Sequence, residues 1–513
     1  MPRIPVWARP PFVFAAIFAY LAVHFAVRMA MWHTLGIDDA EQALFAQGFS
    51  WSYRNSAPPL FTWLLLGLGK VLGVNIVSIS LIRYALLGTV FVFSYLTARR
   101  LIVDPRLAAL CAYGFAAIYV FAFYSHHDLT HTTMMSAMLA LAWFVFVRLA
   151  ESPRLGWYVG LGAVFGLGLL SKWNFVMFSA ALSLACLANP RFRPLVLTWK
   201  IVPALIACGL IVLPTVAAII LAGPTGGDTF HSVLVGNGTP YIARVADGTL
   251  QLVKSALAYP QPLLPLVVLV FALPLWRGLR ASSPTHAEVP RPDAALLGWT
   301  MAISLALHLA LVFAFGARHF SERLMQPPLF ILPIFLFMLI ERGRTGARAV
   351  NAFVLILALL AAGTLAVRIV VYLRGADHCS SCRNMMPVEA LATQLRAAGF
   401  AGSGTILAEG LHVGGNLRAA FPEARVVDPA YPLSIWPAVG GDGQCLLLWQ
   451  ARDDPAMSEA ARGRLLAYLA GNLGAETDAP HRDGVASAPM FGSETRLYRL
   501  AYRLYEDSVG DCR

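Results

Sequence analysis

The sequence predicts an all-α polytopic membrane domain followed by a smaller α/β domain. Hydrophobic residues make up 58% of the 513 residues and charged residues only 13%, whereas soluble proteins carry about 25% charged residues. Apolar runs of about 20 residues, long enough to cross a bilayer core of about 30 Å, recur from Pro11 to Tyr372. After Tyr372 polar residues and glycines reach the frequency of a soluble domain. This composition excludes an ordinary soluble enzyme.

The apolar runs predict about eleven transmembrane helices. Their approximate limits are 11–31, 76–97, 106–123, 129–147, 156–170, 173–189, 201–222, 260–276, 294–315, 325–341 and 349–372. The first run contains Arg28 and is not followed by a cleavage site of small residues, which predicts a retained helix rather than a signal peptide. Arg28 and His24 within it are interpreted as snorkelling groups or as polar contacts between helices.

Lys and Arg residues are concentrated in alternate loops between these runs. With a cytoplasmic N-terminus, every cytoplasmic loop is basic, as the positive-inside rule requires. The odd number of spans then places the C-terminal region on the periplasmic side of a bacterial inner membrane. The net charge of +11 is therefore interpreted as an orientation signal next to membrane lipids, not as a nucleic-acid surface. We predict a transmembrane domain at 1–372 with a first outer loop at 32–75, and an extracytoplasmic domain at 373–513.

The C-terminal region has the alternation of an α/β domain. Short strand-like runs are predicted at 405–407, 425–427, 445–449 and 495–500. Helical stretches are predicted at 387–398 and 457–473. Gly414-Gly415-Asn416 is interpreted as a turn.

Ionisable residues gather at the outer ends of the predicted spans. Ionisable groups near a membrane are costly unless they face water, a partner or a ligand, so this clustering indicates a functional surface. The first outer loop opens with Asp38, Asp39 and Glu41, although Asp38 also stands where a helix begins and either carboxylate could be a capping group. The other members of the outer set are His126, His127, Asp128, Lys172, Asp228, Asp247, Arg318, His319, Glu322 and Arg323.

His127 and His131 share one helical face because they are four residues apart, and Asp128 lies beside them. This spacing is compatible with a divalent metal site. The alternatives are hydrogen bonding to the backbone, lining of a wet cavity, or contact with an acceptor. No cofactor is certain from the sequence.

Cys379 and Cys382 form a CxxC motif just after the last predicted span. In an oxidising compartment this motif predicts a structural disulfide. Zinc or redox chemistry would require further ligands or a strand-loop-helix setting. Cys445 and Cys512 are candidates for a second bridge.

Several motifs, in this order, resemble the bacterial relatives of protein O-mannosyltransferases. That family is glycosyltransferase family 39, with its cousins the lipid A aminoarabinose and galacturonic acid transferases of the GT-C fold. The motifs are Asp38-Asp39, Pro58-Pro-Leu-Phe-Thr-Trp63, Leu81-Ile-Arg-Tyr-Ala-Leu-Leu-Gly88, Tyr95-Leu-Thr-Ala-Arg-Arg100, Gly166-Leu-Gly-Leu-Leu-Ser-Lys172 and Glu322-Arg-Leu-Met-Gln-Pro-Pro328. The resemblance covers roughly residues 30 to 345. The aminoarabinose enzymes have a Glu-Lys pair before Pro-Pro-Leu, where this chain has Ser56-Ala57.

The resemblance implies transfer of a sugar from a polyprenyl-phosphate donor to a cell-envelope acceptor, which is lipid A, a glycan or a protein. It implies Asp38 as the catalytic base, with Asp39 as the second catalytic carboxylate. Cations must meet the leaving phosphate, and the candidates are Arg83, Lys172, Arg318 and Arg323. Glu41, Asp128 and His127 are the candidates for orienting the acceptor.

Two other functions agree with parts of the sequence. Many spans with interior charge also describe a transporter or a flippase of envelope lipids. A scaffold whose outer domain binds envelope partners is the third reading. The carboxylates and arginines that cluster on the outer face favour the transferase over both alternatives.

Overall fold

The structure is a computed structural model that describes residues 4–53, 58–222, 239–281, 291–379, 382–431, 433–437, 443–451 and 454–513. The first helices are α1 (Pro10–Met31), α2 (Ile37–Phe45), α3 (Leu60–Leu72), α4 (Ile76–Leu101), α5 (Pro105–Gly114), α6 (Tyr119–Ala122), α7 (Thr130–Glu151), α8 (Leu155–Ser171), α9 (Phe175–Ala188) and α10 (Arg193–Val196). They continue as α11 (Ile201–Ala222), α12 (Tyr241–Ala258), α13 (Leu263–Arg280), α14 (Ala294–Phe315), α15 (Gln326–Leu329), α16 (Leu332–Arg342) and α17 (Ala347–Leu373).

In the described part of the chain, 7 helices are long and apolar enough to cross a membrane, namely α1, α4, α7, α11, α13, α14 and α17. The multi-pass helical domain is therefore confirmed. The predicted spans at 156–170 and 173–189 correspond to the shorter apolar helices α8 and α9. The number eleven stays a prediction.

Two predicted spans are broken into short helices. The run at 106–123 divides into α5 and α6, and the run at 325–341 divides into α15 and α16. Proline occupies the first turn of both α15 and α16. Because proline cannot donate to a preceding helical turn, it restarts a helix rather than continuing one.

The first outer loop contributes α2 and α3 to the outer face. Residues 54–57 lie outside the described part, and with them the Ser56-Ala57 pair. Helix α3 begins at Leu60, directly after Pro59, and is a short apolar helix rather than one of the long spans.

The C-terminal domain is α/β, as predicted. Its helices are α18 (Val388–Ala397), α19 (Leu411–Ala420) and α20 (Pro455–Leu473), and its strands are β1 (Gly404–Ala408), β2 (Ala424–Val427), β3 (Gln444–Gln450), β4 (His481–Pro489) and β5 (Leu497–Tyr505). The five strands lie in the order β2-β1-β3-β5-β4. Strands β1, β2 and β3 are parallel, and β5 is antiparallel to both β3 and β4.

Two features of this domain differ from the sequence analysis. Strand β4 was not predicted because it is an edge strand with exposed polar residues and an internal Gly484, and it lacks an apolar run. Gly414-Gly415-Asn416 is not a turn but the middle of α19. Glycine weakens an isolated helix, so its place here depends on what α19 packs against.

Two disulfides lie in the C-terminal region. Cys379 and Cys382 are bonded, with their Cα atoms 5.3 Å apart, just beyond the end of α17. Cys445 and Cys512 are also bonded, with their Cα atoms 5.2 Å apart, and they join β3 to the C-terminus.

Candidate active site

Helix α2, which carries the acidic pair, lies between the membrane helices and the C-terminal domain. The Leu35 N–H donates to the Asn416 Oδ1 atom of α19 at 2.9 Å, and the Thr34 hydroxyl donates to the Met386 carbonyl at 2.9 Å. The Gln47 side chain makes two hydrogen bonds of 2.8 Å with the backbone N–H and carbonyl of Val426 on β2. The loop that holds the acidic pair is therefore fastened to the outer domain.

Close packing of α19 on α2 explains its two glycines. A Cβ atom at Gly415 would stand 1.9 Å from the Ala40 carbonyl oxygen, and one at Gly414 would contact the Leu44 side chain. Only a residue without a side chain lets the two backbones approach this closely. Leu44 and Phe45 then enter the apolar core of the C-terminal domain.

Asp39 lies in a closed ion cluster. Its carboxylate contacts the guanidinium of Arg83 on α4, and the Arg28 Nη2 atom of α1 lies 3.3 Å from its Oδ2 atom. All three side chains are fully buried. Because a buried carboxylate needs compensating charge, this cluster holds α2 against α1 and α4.

Asp38 faces a different environment although it is the adjacent residue. Its backbone N–H donates to the Asp128 Oδ1 atom at 3.0 Å, while its side chain interacts electrostatically with Glu41, His131 and Arg323. Desolvation in this recess raises the pKa of Asp38, and the nearby Glu41 carboxylate raises it further. A carboxyl with a raised pKa in a recess suits general base catalysis.

Asp128 is the second carboxyl in this recess, and desolvation and the Asp38 charge raise its pKa. Burial lowers the pKa of the neighbouring His127 to about 3, so this imidazole is neutral at ordinary pH. Both residues line a cavity of about 440 Å³ with Trp32 and Arg368. The structure thus brings Asp128 and His127 next to α2.

Lys172 lies at the turn between α8 and α9, and its Nζ atom donates to the Thr132 hydroxyl at 3.0 Å. Burial and the Arg323 charge lower the pKa of Lys172 to about 8, while Asp38 acts in the opposite direction. Lys172, Arg323 and Asp38 therefore lie within electrostatic range of one another. Arg318 lies apart from that group, and its Nη1 atom donates to the Thr239 hydroxyl at 2.9 Å.

The three metal candidates do not converge. The His131 Nε2 atom lies 3.0 Å from the Gln42 Nε2 atom and 3.6 Å from a Glu41 carboxylate oxygen, whereas the His127 Nδ1 atom lies 3.1 Å from the Phe123 carbonyl. Among residues 4–53, 58–222 and the other described ranges, no group of three His, Cys, Asp or Glu side chains could hold a metal ion.

Two arginines that shape the site were not among the candidate site residues. Arg28 was interpreted as a snorkelling group or as a polar contact between helices, and the structure shows the contact, because the side chain is fully buried against Asp39 of α2. Arg368 on α17 contacts the His24 ring and stands 5.3 Å from the Trp32 ring centroid. An arginine in the outer half of an apolar run requires a counter-charge or an aromatic face, which is the signal that could have identified both.

The comparisons with known proteins agree with this architecture. Residues 56–218 match a family described as dolichyl-phosphate-mannose-protein mannosyltransferase. The chain is 29% identical to the lipopolysaccharide core galacturonosyltransferase RgtB of Rhizobium johnstonii over 96% of both chains. It is 27% identical to RgtA of the same organism over 86% of this chain and 87% of that protein.

Among solved structures, ArnT of Cupriavidus metallidurans bound to undecaprenyl phosphate superimposes with a TM-score of 0.55 at 16% identity, covering 95% of this chain and 97% of that one. The chain has the fold of the GT-C glycosyltransferases. The mycobacterial arabinofuranosyltransferase AftD also shares the GT-C fold, with a TM-score of 0.52 at 14% identity over 98% of this chain and 40% of that one. These relatives are transferases, so they do not favour a transporter.

Proposed function

We propose that this GT-C enzyme transfers a glycosyl group from a polyprenyl-phosphate carrier to an envelope acceptor, with Asp38 as the general base. The observation that carries the proposal is the contrast between the acidic neighbours. Asp39 is closed off by Arg28 and Arg83, whereas Asp38 lies within electrostatic range of Lys172 and Arg323. Two cations therefore lie near the proposed base.

In the proposed step, the Asp38 carboxylate removes the proton of an acceptor hydroxyl as the hydroxyl oxygen attacks the anomeric carbon of the donor sugar. The bond between that carbon and the phosphate oxygen breaks, and the lipid phosphate leaves with the electron pair. Lys172 and Arg323 stabilise the charge that develops on the phosphate. Asp128, through its bond to the Asp38 N–H, and Glu41 position the base and the acceptor.

Arg83 and Arg318 take different roles in the proposal. Arg83 was predicted to bind the donor phosphate, but its guanidinium contacts Asp39, so we assign it a positioning role. Arg318 lies beside Thr239, and its Nε atom is buried with no hydrogen-bond partner among the described residues. Its side chain therefore retains a donor for a phosphate oxygen further from the base.

The names of two relatives that match most of this chain support a proposal for the sugar and the acceptor. RgtB and RgtA are both named as lipopolysaccharide core galacturonosyltransferases. We therefore propose galacturonic acid as the transferred sugar and lipopolysaccharide core as the acceptor. A third relative, from Pseudomonas fluorescens, is named as an undecaprenyl phosphate aminoarabinose transferase but matches only 42% of this chain.

The decisive experiment uses the purified full-length chain in lipid vesicles. It is given polyprenyl phosphate carrying galacturonic acid or aminoarabinose, with lipopolysaccharide that lacks the added sugar, and mass spectrometry follows the product. Addition of one galacturonic acid is expected with the first donor only. Transfer from a nucleotide sugar without any polyprenyl lipid would remove the donor class, and transfer of aminoarabinose alone would reassign the sugar.

We propose that the N-terminus is cytoplasmic and that the C-terminal domain is periplasmic. The basic loops at alternate ends of the helices support this orientation. Membrane-impermeant thiol reagents should label a cysteine introduced at Ser403 in intact cells but not one introduced at Gly346. Labelling at position 346 would reverse the orientation and with it the side of the membrane on which transfer occurs.

A further inference from the structure

A large cavity lies in the outer domain beside the start of the acidic helix α2. Its volume is about 1180 Å³, which exceeds the roughly 300–1,000 Å³ of common small-molecule pockets. Ile37, the residue before Asp38, forms part of its wall. The proposed reaction does not use this cavity.

The position of the cavity follows from the topology of the sheet. Glu409 follows β1, Asp428 follows β2, and Gln450 ends β3, and all three line the cavity. In the order β2-β1-β3, the chain passes from β1 to one neighbour and later returns to the other side. In open parallel sheets, ligands bind at the carboxyl ends of the strands where the order reverses in this way.

The lining is cationic at its rim. The lining includes two carboxylates and four arginines, and the arginines are Arg383, Arg464, Arg496 and Arg499. All four are exposed residues. Arg464 pairs with Glu409 at 2.5 Å, and Arg496 donates to the Cys379 carbonyl at 3.0 Å. Arginine's planar fork suits phosphate and carboxylate oxygens. The rim therefore favours an anionic ligand.

The floor carries a buried group that still lacks a partner. Asp428 is only 3% exposed, and its Oδ1 atom accepts the Ala430 N–H at 3.0 Å. Its Oδ2 atom is buried with no hydrogen-bond partner among the described residues, and so is the His412 Nε2 atom in the same wall. Buried polar atoms without a partner are rare in folded proteins, and both residues belong to the lining of the cavity.

The backbone adds donors beside this acceptor. Helix α19 begins at Leu411, after Gly410 at φ +89°, and no side chain caps its first N–H groups. Leu411, His412 and Val413 all line the cavity. The start of a helix with uncapped N–H groups favours an anion.

From these features we infer that the cavity binds an anionic saccharide, with the arginine rim and the start of α19 holding its acidic groups and Asp428 accepting a sugar hydroxyl. The inference rests on the proposed function, since the ligand is then the part of the acceptor beyond the reacting hydroxyl. Arg383 and Ile37 line both this cavity and the smaller one at Asp128, so a bound saccharide reaches toward the recess of the base.

The test measures saturation transfer by NMR on the full-length detergent-solubilised chain. The probes are trehalose 6-phosphate, digalacturonic acid, neutral trehalose and inorganic phosphate. The two anionic disaccharides should bind at least tenfold more tightly than trehalose, and the stronger of them identifies phosphate or carboxylate as the acidic group. Equal binding of trehalose, or binding of inorganic phosphate alone, would overturn the inference.

Substitutions of residues that line the cavity test whether the probe binds there. Arg383→Ala, Arg499→Ala and Asp428→Asn should each weaken the preferred probe at least fivefold. Arg482→Ala is the matched control, because Arg482 is an exposed arginine of β4 that pairs with Glu506 and does not line the cavity. Unchanged binding in all three variants, or an equal loss in Arg482→Ala, would overturn the site.

The site and the reaction can fail separately. Asp38→Asn should abolish transfer and leave probe binding unchanged, whereas Arg383→Ala should raise the acceptor KM with little change in kcat. Probe binding in a chain that does not use a polyprenyl donor would overturn the proposed reaction and keep the saccharide site. If Arg383→Ala and Arg499→Ala still transfer sugar with an unchanged acceptor KM, the saccharide site is overturned and the proposed reaction is kept.

Discussion

The two sides of helix α2 differ in their charge environment. On one side Asp39 is sealed between Arg28 and Arg83, with all three side chains fully buried. On the other side Asp38 lies near Glu41, and both desolvation and this like charge raise its pKa. Consecutive residues of a helix point about 100° apart. A step of one residue along the helix therefore separates a buried, paired carboxylate from the one proposed as the general base.

The difference shows that an acidic pair need not act as a pair. The guanidinium groups of Arg28 and Arg83 contact the Asp39 carboxylate and hold the backbone of α2. Desolvation, and after it the Glu41 charge, raise the pKa of Asp38, which is the property that a general base needs. The following substitutions test this division of labour.

The largest effect is expected at Asp38. Asp38→Asn keeps the side-chain size and removes the basicity, so turnover should fall about 10²–10⁴-fold. Steady-state assays with saturating donor measure the loss, and donor binding should be retained. Asp507→Asn, at an exposed carboxylate of the outer domain, is the control. Turnover within threefold of the parent enzyme would remove Asp38 from the mechanism.

Asp39→Asn tests the structural side of the comparison. It leaves two buried guanidinium groups without a counter-charge, and breaking a buried ion pair costs about 3–5 kcal/mol. Thermal unfolding in detergent should therefore shift to lower temperature, and less folded protein should be recovered. If Asp39→Asn is as stable as the parent but inactive, the two carboxylates have exchanged roles.

Lys172 tests the charge of the recess through pH. The rate should rise with pH as Asp38 loses its proton, and it should fall as pH passes about 8, where Lys172 loses its charge. Lys172→Arg stays charged, so the falling limb should move to higher pH by about one unit or more. Lys200→Arg is the control, because the Lys200 Nζ atom donates to the Pro153 carbonyl at 2.8 Å, and it should leave the profile unchanged. An unmoved limb in Lys172→Arg would assign it to another group.

The smallest effect is expected where the outer domain rests on α2. Gly415→Ala places a methyl group against the Ala40 carbonyl, and overpacking of this kind costs about 1–3 kcal/mol. Transfer should fall severalfold because α2 is displaced, and limited proteolysis should release the outer domain sooner. Gly471→Ala on α20, where a Cβ would meet nothing within 4 Å, is the control. Equal behaviour of the two variants would mean that the contact does not position the site.

The sequence was sufficient for the class of fold and for most of its long helices and strands. Hydropathy and loop charge depend on local composition, which is why the seven long helices and four of the five strands were predicted. The Asp39 cluster was not predicted, because its members lie on α1, α2 and α4 and come together only in the folded chain. Likewise, Gly414 and Gly415 were predicted to form a turn because the sequence does not show that their helix packs against α2.

The side chain of Gln47 occupies the open edge of β2, where another strand would otherwise add. A sheet edge left unpaired is a template for association with other chains. If the outer domain were produced by itself, it would lose this cover and would also expose the apolar surface that Leu44 and Phe45 fill. The unit that can be exchanged between related enzymes is therefore discontinuous in sequence, and a chimera should carry residues 34–53 together with the C-terminal domain.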